Sequence, residues 1–206
     1  MHLFSKVRKI PSGQNEESAM RIIAGMLKGR RLKAPLGLDI RPTSDRVREN
    51  LFNILGPRVT GSAFLDLFAG TGAVGLEAVS RGAVRVVWVD ESPISLAAIA
   101  HNLHVCGVSG LGEVMPGRLP DALAGIKGAF DLMFADPPYA YTGEEDLLSC
   151  PAWERLTHPE SLLILERDIR RKPPAQAGIW TLYRSVRYGE TMLYFYQRVV
   201  PSDEPV

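Results

Sequence analysis

Residues 64–78, with the sequence FLDLFAGTGAVGLEA, constrain the fold more than any other stretch of this chain. A short apolar run is followed by three closely spaced glycines and then by a segment rich in alanine, valine and leucine. A strand, a glycine turn and a helix in this order open a nucleotide-binding βαβ unit. The glycines permit positive φ angles and let the backbone approach a ligand, at which the free N–H groups of the new helix point.

The spacing of the glycines leaves the ligand open. Gly70, Gly72 and Gly75 fit the dinucleotide fingerprint, and the acidic Asp90 follows 20 residues after the first of them. A nicotinamide cofactor, S-adenosylmethionine (SAM) and another nucleotide all satisfy this pattern, as does a glycine turn with a purely structural role. At the end of a predicted strand, the Asp90 carboxylate can accept hydrogen bonds from both ribose hydroxyls. The alternative is an ordinary helix N-cap ahead of Pro93.

Strands and helices alternate along most of the chain. Predicted strands cover 64–68, 84–89, 113–115, 130–135, 161–166, 180–187 and 191–198, predicted helices cover 41–55, 93–105, 119–126 and 144–156, and a charged loop covers 167–178. This alternation predicts an α/β fold with a doubly wound sheet. A Tyr-Gly turn separates the last two strands, so the final strand should run antiparallel.

Composition narrows the class of protein. A chain of 206 residues with 46% hydrophobic residues suits one large domain with a filled core. Its apolar runs are shorter than the roughly 20 residues of a membrane span, and no signal peptide is visible. The two cysteines form no pair pattern and the four histidines have no metal-ligand spacing. We therefore expect a cytoplasmic, monomeric protein without a metal.

Charge is distributed unevenly along the chain. Residues 1–48 contain 11 Lys and Arg against 4 Asp and Glu, whereas residues 49–206 contain 13 against 19. This gradient favours a polyanion partner at the basic end, and a solvated charged arm is the alternative. We divide the chain into a flexible extension (1–19), a basic hairpin and helix (20–58), a core (59–200) and a loose tail (201–206).

Basic side chains are concentrated in residues 21–33, which we interpret as two short strands around Gly25–Gly29. Such a hairpin can follow the phosphates of RNA or DNA without reading sequence, through Arg21, Lys28, Arg30, Arg31 and Lys33. The following helix has an N-cap candidate in Ser44 or Thr43, and its apolar stripe leaves Arg48 on another face.

The segment Asp136-Pro137-Pro138-Tyr139 directly follows the predicted strand 130–135. Two prolines cannot continue a central strand, so the chain turns out at the sheet edge where ligands of such folds bind. An exocyclic amine is a poor nucleophile because its lone pair is delocalised into the base. The Asp136 carboxylate and the Pro137 carbonyl can accept its two N–H groups, and Tyr139 can stack on the base. The alternative is a segment that only turns the chain.

Several segments together resemble the RsmD family, bacterial methyltransferases that modify a guanine N2 of 16S ribosomal RNA. They are RIIAG at 21–25, KGRRL at 28–32, RPT at 41–43, DRVRENLFN at 45–53, LDLFAGTG at 65–72, GLEA at 75–78, SRGA at 80–83 and DPPY at 136–139. The resemblance spans about residues 20–198. Many amino-methyltransferases share the glycine and Asp-Pro-Pro-Tyr motifs, whereas the Arg-Pro-Thr helix and the basic hairpin are more specific.

The resemblance implies a Rossmann-like class I SAM-dependent methyltransferase with a seven-stranded, mostly parallel sheet. It implies SAM as cofactor and 16S rRNA of the small ribosomal subunit as partner. It assigns Asp136 and Tyr139 to the acceptor base, and the Pro137 carbonyl is our third acceptor-site candidate. The resemblance assigns to the cofactor Arg41, Thr43, Phe68, Ala69, Gly70, Gly72 and Asp90, and we add Asp66, Arg118 and Leu119 as further cofactor candidates. Related enzymes often carry an acidic residue in place of Arg118, so backbone groups should contribute to adenine recognition.

Three other functions compete with this assignment. An adenine amino-methyltransferase acting on DNA would share the acceptor chemistry, but it usually needs a target-recognition insert for which this length leaves no room. A nicotinamide oxidoreductase leaves residues 136–139 without a role. A non-catalytic RNA-binding module does not explain why both motifs are intact.

Overall fold

The computed structural model describes residues 20–34 and 45–199. The predicted extension at 1–19, the tail at 201–206 and the candidates Arg41, Thr43 and Ser44 lie outside the described residues. Across those two described ranges, the helices are all too short or too polar to cross a membrane.

The described residues form a single sheet with helices on both faces. The helices are α1 (Asp45–Leu55), α2 (Ala73–Ser80), α3 (Pro93–Cys106), α4 (Glu144–Leu148) and α5 (Trp153–Leu156), with short 3-10 helices at Gly56–Val59 and Asp121–Gly125. The strands are β1 (Ala63–Leu67), β2 (Arg85–Asp90), β3 (Gly112–Pro116), β4 (Phe130–Ala135), β5 (Thr157–Asp168), β6 (Gln176–Ala177), β7 (Trp180–Tyr188) and β8 (Thr191–Arg198).

The strand order is β3-β2-β1-β4-β5-β8-β7-β6. Strands β1 to β5 run parallel, and β8 inserts antiparallel between β5 and β7. The direction in which consecutive strands are added reverses between β1 and β4. A crevice for a ligand therefore opens beyond the carboxyl ends of these two strands.

The described sheet has eight strands where seven were expected. The additional strand is the two-residue β6, which pairs with the beginning of β7 at the sheet edge and lies in the segment predicted as a loop. Ala177 is buried there, so the loop returns to the sheet instead of staying in solvent. The predicted helix at 144–156 also divides into α4 and α5. Pro151 lies between them and has no N–H to continue the helical hydrogen bonds.

The basic segment is a hairpin of one antiparallel bridge, between Arg21 and Arg31, rather than two strands. Backbone bonds such as the one from the Gly29 N–H to the Ile22 carbonyl at 2.9 Å close the hairpin, and its turn also donates hydrogen bonds to α2. The N–H groups of Ile23 and Ala24 donate to the Glu77 carboxylate at 2.8 and 3.0 Å, and the Met26 N–H donates to the Ser80 carbonyl at 2.8 Å. This segment is therefore attached to the helix that follows the glycine loop.

Arg48 lies off the apolar stripe of α1, as expected, but it is completely buried. Its Nη2 donates to the Arg21 carbonyl at 2.6 Å and to Asp45 Oδ1 at 2.9 Å, and its Nε lies 3.8 Å from Glu77 Oε2. The hairpin covers this face of the helix. Periodicity distinguishes apolar from polar faces but does not reveal that another segment covers a polar one.

Helix α2 is buried along its whole length. A Cβ at Gly75 would lie 2.2 Å from Nε1 of Trp88, so only glycine permits this close approach of helix and strand. The close contact fixes the N-terminus of α2 directly behind the glycine loop, at the edge of the sheet where the crevice opens.

Candidate active site

The glycine loop and the Asp-Pro-Pro-Tyr turn leave the sheet side by side. Leu67, the last residue of β1, pairs with Ala135, the last residue of β4. The next residues, Phe68 and Asp136, therefore begin the two turns at the same edge, and the Asp136 N–H still reaches the Leu67 carbonyl at 3.5 Å. A group bound to one turn is adjacent to a group bound to the other.

A cavity of about 470 Å³ opens between these turns and the end of β2. Small-ligand sites typically enclose about 300–1,000 Å³. Of the predicted site residues, the cavity wall includes Phe68, Gly70, Asp90, Arg118, Leu119, Asp136, Pro137 and Tyr139. Most of the residues proposed from sequence for cofactor and acceptor thus surround one space.

Asp90 connects the end of β2 to the glycine loop. Its Oδ2 accepts the Gly70 N–H and its Oδ1 accepts the Ser92 N–H, both at 2.8 Å. The N-cap of α3 is Ser92, whose hydroxyl accepts from the Ser95 N–H at 3.4 Å. Asp90 is therefore not the cap of that helix, and its carboxylate lines the cavity with further lone pairs for a ligand.

Asp66 lies beneath the glycine loop and is 2% exposed. Its Oδ2 accepts the Gly75 N–H at 2.8 Å. Burial raises the pKa of the Asp66 carboxyl well above its usual range; the Gly75 N–H opposes this shift, and the charges of Asp136 and Asp90 add to it. Its side chain supports the loop from below and borders a small cavity of about 40 Å³ that Ala69 and Gly70 also line.

Gly72 is the one described cofactor candidate that lines neither cavity. Its carbonyl accepts the indole N–H of Trp88 at 3.2 Å, and its N–H donates to the Ala69 carbonyl at 2.7 Å. These contacts shape the loop from inside. A direct contact between Gly72 and a cofactor stays a prediction.

The Asp-Pro-Pro-Tyr turn and the two residues after it, residues 136–141, are called the acceptor turn, and this turn presents an aromatic ring to solvent. Tyr139 is 61% exposed, and the guanidinium of Arg170 lies 5.5 Å from the centroid of its ring. Tyr141 turns inward and packs edge-on against Phe68, with ring centroids 5.0 Å apart. Burial, followed by the nearby Glu144 and Asp146 charges, raises the pKa of the Tyr141 phenol, which donates to the Gly143 carbonyl.

Sequence reasoning missed Arg167, which holds the acceptor turn from β5. Its Nη1 donates to the carbonyls of Pro137 at 2.9 Å and Pro138 at 3.2 Å, and its Nη2 donates to the Tyr141 carbonyl at 2.8 Å. The proposed acceptor carbonyl of Pro137 thus already accepts one hydrogen bond. No local pattern marks Arg167, because it lies 30 residues after the turn that it contacts.

Several acidic residues of the cavity wall were also missed: Glu91, Glu166, Asp168 and Glu190. Glu91 directly follows Asp90 at a strand end, so its position was open to prediction. The other three come from β5 and from the turn between β7 and β8. Glu166 and Asp168 reach the cavity because β5 pairs with β4, and Glu190 reaches it because β8 is inserted beside β5.

The basic residues predicted to bind RNA are all exposed: Arg21, Lys28, Arg30, Arg31 and Lys33. One end of the hairpin lies near the glycine loop, because Asn102 donates to the carbonyls of both Lys33 and Thr71, at 3.1 and 2.9 Å. The hairpin tip lies at Ser80, the last residue of α2, about 12 Å along that helix at 1.5 Å per residue. The hairpin backbone therefore runs along α2 away from the cavity.

No group of three or more His, Cys, Asp or Glu side chains with metal-binding geometry occurs in the part of the chain that the structure describes.

Comparison with known proteins agrees with this geometry. The family model described as "Conserved hypothetical protein 95" matches residues 20–197. "Ribosomal RNA small subunit methyltransferase D" of Escherichia coli is 32% identical over 87% of this chain and 90% of that protein. The protein of the same name from Haemophilus influenzae is 33% identical over 89% of this chain and 96% of its own length. The solved structure of yhhF from Escherichia coli has a TM-score of 0.76 and 34% identity, covering 87% of this chain and 98% of that one.

The fold and its crevice define a Rossmann-like class I methyltransferase, which confirms the predicted fold class. The chain belongs to the RsmD family, as its sequence motifs indicated.

Proposed function

We propose that this chain transfers a methyl group from SAM to the exocyclic N2 amine of a guanine in 16S rRNA of the small ribosomal subunit. The single observation that carries the proposal is the pairing of Leu67 with Ala135. It places the glycine loop and the acceptor turn on one cavity, where a donor and an amine can meet directly. Orientation of two reactants in this way accounts for a large part of enzymatic rate enhancement.

The glycine-loop side of the cavity fits a nucleoside cofactor. Asp90 has lone pairs left for ribose hydroxyls after it binds the N–H groups of Gly70 and Ser92. Arg118 and Leu119 line the wall expected to contact adenine. SAM, when bound, supplies an electrophilic methyl group on a cationic sulfonium. The carboxylates of Asp90 and Asp136 give this cavity the negative charge that such a cation favours.

The acceptor side fits an amine on an aromatic base. The Asp136 carboxylate can accept one N–H group and direct the nitrogen lone pair toward the donor side, and it is placed to take the proton that the amine loses. The Pro137 carbonyl keeps one lone pair for the second N–H after its bond from Arg167. Tyr139 offers an exposed face on which a base pulled out of the RNA can stack, on the order of 1–3 kcal/mol.

Carboxylates around the acceptor turn favour guanine over adenine. Glu166 and Asp168 line the cavity together with Asp136. Carboxylates only accept hydrogen bonds when ionised. The Watson–Crick edge of guanine presents the N1–H and N2–H donors, whereas adenine presents an N1 acceptor beside its amine. The names of the two relatives, both small-subunit ribosomal RNA methyltransferases, support the same class of substrate.

The proposal is tested by methyl transfer to small ribosomal subunits from cells that lack the corresponding gene. Wild-type protein should incorporate label from SAM, and mass spectrometry should locate N2-methylguanine in the 16S rRNA. The variant Asp136→Ala should lose roughly 100-fold or more in kcat while it binds S-adenosylhomocysteine (SAH) normally, because an electrostatic contact to the reacting group is removed.

Asp146→Ala is the matched control, since Asp146 is an exposed aspartate near the same turn. It should retain full activity. Transfer by Asp136→Ala at the wild-type rate would disprove the role of Asp136. Transfer to adenine in a DNA duplex, with none to ribosomal RNA, would support the alternative amino-methyltransferase.

A further inference from the structure

The guanidinium of Arg167 is the main support of the acceptor turn. Arg167 is 4% exposed. Its guanidinium donates to the carbonyls of Pro137, Pro138 and Tyr141, and it also forms an ion pair with Glu144 at 2.8 Å. Each of these four partners belongs to the acceptor turn or to the first residue of α4. The side chain thus links a single short segment to β5.

Prolines make this external support necessary. Pro137 and Pro138 have no N–H group, so the turn cannot close through hydrogen bonds donated by its own first residues. One local bond remains, from the Tyr141 N–H to the Pro138 carbonyl at 2.8 Å. A guanidinium has five N–H donors in a rigid planar fork and can hold several carbonyls at once, whereas a lysine ammonium is a flexible point charge.

Strand β5 is a stable base for this side chain. It pairs with β4 on one side and with β8 on the other, and Arg167 itself lies opposite Met192 of β8. The turn is therefore fixed relative to two neighbouring strands. On the cofactor side, it is fixed by the contact between Tyr141 and Phe68.

We propose that Arg167 is a positioning residue for methyl transfer, an inference that rests on the function proposed above. It holds the Pro137 carbonyl and, through the turn, the adjacent Asp136 at the position that the target amine requires. A cationic donor also draws electron density from the Pro137 oxygen. Asp136 is then the stronger acceptor, and Pro137 mainly fixes the orientation of the amine.

The inference predicts that Arg167→Met lowers kcat by about 100-fold, the effect expected for a displacement of about 1 Å at a reacting group. SAH affinity, measured by calorimetry, should stay within about twofold of wild type, because Arg167 does not hold the glycine loop. Arg167→Lys should recover only a small part of the activity, since a single ammonium nitrogen cannot reproduce the two separate nitrogens with which the guanidinium reaches the carbonyls.

Arg187→Met provides the matched control. Arg187 also pairs with Met192, from β7, but it is exposed and its side chain donates to the Gly189 carbonyl at 2.8 Å, away from the acceptor turn. This variant should keep wild-type kcat.

A second variant separates positioning from simple stabilisation by the ion pair. Glu144→Gln removes the charge that pairs with Arg167 and leaves the three carbonyl bonds, so it should keep kcat within a few-fold of wild type. Normal kcat in Arg167→Met, or a loss of kcat in Glu144→Gln as large as in Arg167→Met, would overturn the inference. So would an equal loss of SAH affinity and kcat in Arg167→Met. If wild-type protein itself methylates no small-subunit RNA, the proposed function fails instead.

Discussion

The two turns that line the cavity are held by hydrogen bonds of opposite polarity. In the glycine loop and the first turn of α2, backbone N–H groups of Gly70 and Gly75 donate to the carboxylates of Asp90 and Asp66. In the acceptor turn, backbone carbonyls accept from the guanidinium of Arg167. One turn is anchored by carboxyl oxygens and the other by a guanidinium.

Composition explains the difference. A glycine turn that begins a helix has unpaired N–H groups, which carboxylates satisfy. A turn with two prolines lacks N–H groups and has carbonyls in excess, which a guanidinium satisfies. The anchors also contribute charge to the cavity: the Asp90 carboxylate lines the side proposed for a cationic donor, and Arg167 lines the acceptor side. The same hydrogen bonds therefore hold the backbone and arrange the electrostatics of the cavity.

Among the variants that distinguish the roles of the two turns, Asp90→Ala should have the largest effect. It removes both the ligand-facing carboxylate and the support of Gly70, so SAH affinity should fall by about 10- to 100-fold, as expected for the loss of a charged hydrogen-bonding group. At saturating SAM, kcat should fall much less. Calorimetry and single-turnover kinetics measure the two quantities.

Glu113→Ala, an exposed carboxylate on the neighbouring strand β3, is the control and should bind SAH normally. The division of roles between the turns would be wrong if Asp90→Ala bound SAH as wild type does but lost kcat.

Reversing the charge of two hairpin residues tests whether RNA affinity comes from the acceptor turn or from the basic side chains of the hairpin. The double variant Arg30→Glu, Arg31→Glu should weaken binding of 16S rRNA and reduce the slope of log K against log salt by about 0.7–0.9 per lost phosphate contact. SAH binding should not change. Filter binding across a range of salt concentrations measures the slope.

Lys127→Glu is the control. It reverses an exposed charge next to Ile126, which packs in the core on the other face of the sheet, and it should leave the slope of log K against log salt unaltered. A wild-type slope in the double variant would exclude the hairpin as an RNA contact and leave RNA affinity to the acceptor side.

Asp66→Asn should have the smallest effect and tests the carboxyl anchor beneath the glycine loop. Because burial raises the pKa of Asp66, the folded state keeps a proton that the unfolded state loses at lower pH. Wild-type stability from this group is therefore complete at low pH and is lost as pH rises toward the folded pKa. Asparagine cannot ionise, so the variant should gain stability relative to wild type as pH rises above the ordinary range of an aspartate carboxyl.

Urea denaturation of both proteins at several pH values measures this difference in the free energy of unfolding. A difference that stays constant with pH would mean that Asp66 titrates alike in the folded and unfolded states. Burial would then not destabilise the ionised form of this carboxyl.

Much of the glycine-loop half of the cavity was predictable from sequence. Residues 64–78 and Asp90 lie within one βαβ unit, and local rules of strand, turn and helix place them together. The acceptor turn was predictable as a turn at a strand end. Arg48 was placed correctly off the apolar stripe, but its complete burial depends on the hairpin, which binds α2 instead of forming two strands of its own.

The sequence by itself determined the α/β class, the family and the two motifs, because these depend on short-range periodicity and on residue types with restricted backbones. Tertiary structure alone decided that Leu67 and Ala135 are neighbours, that Arg167 holds the prolines and that the end of β5 lines the cavity. The physical reason is that the strand order brings together residues 30 to 70 positions apart. The hydrogen bonds that join the strands run between backbones, so the local pattern of side chains does not reveal which strands are neighbours.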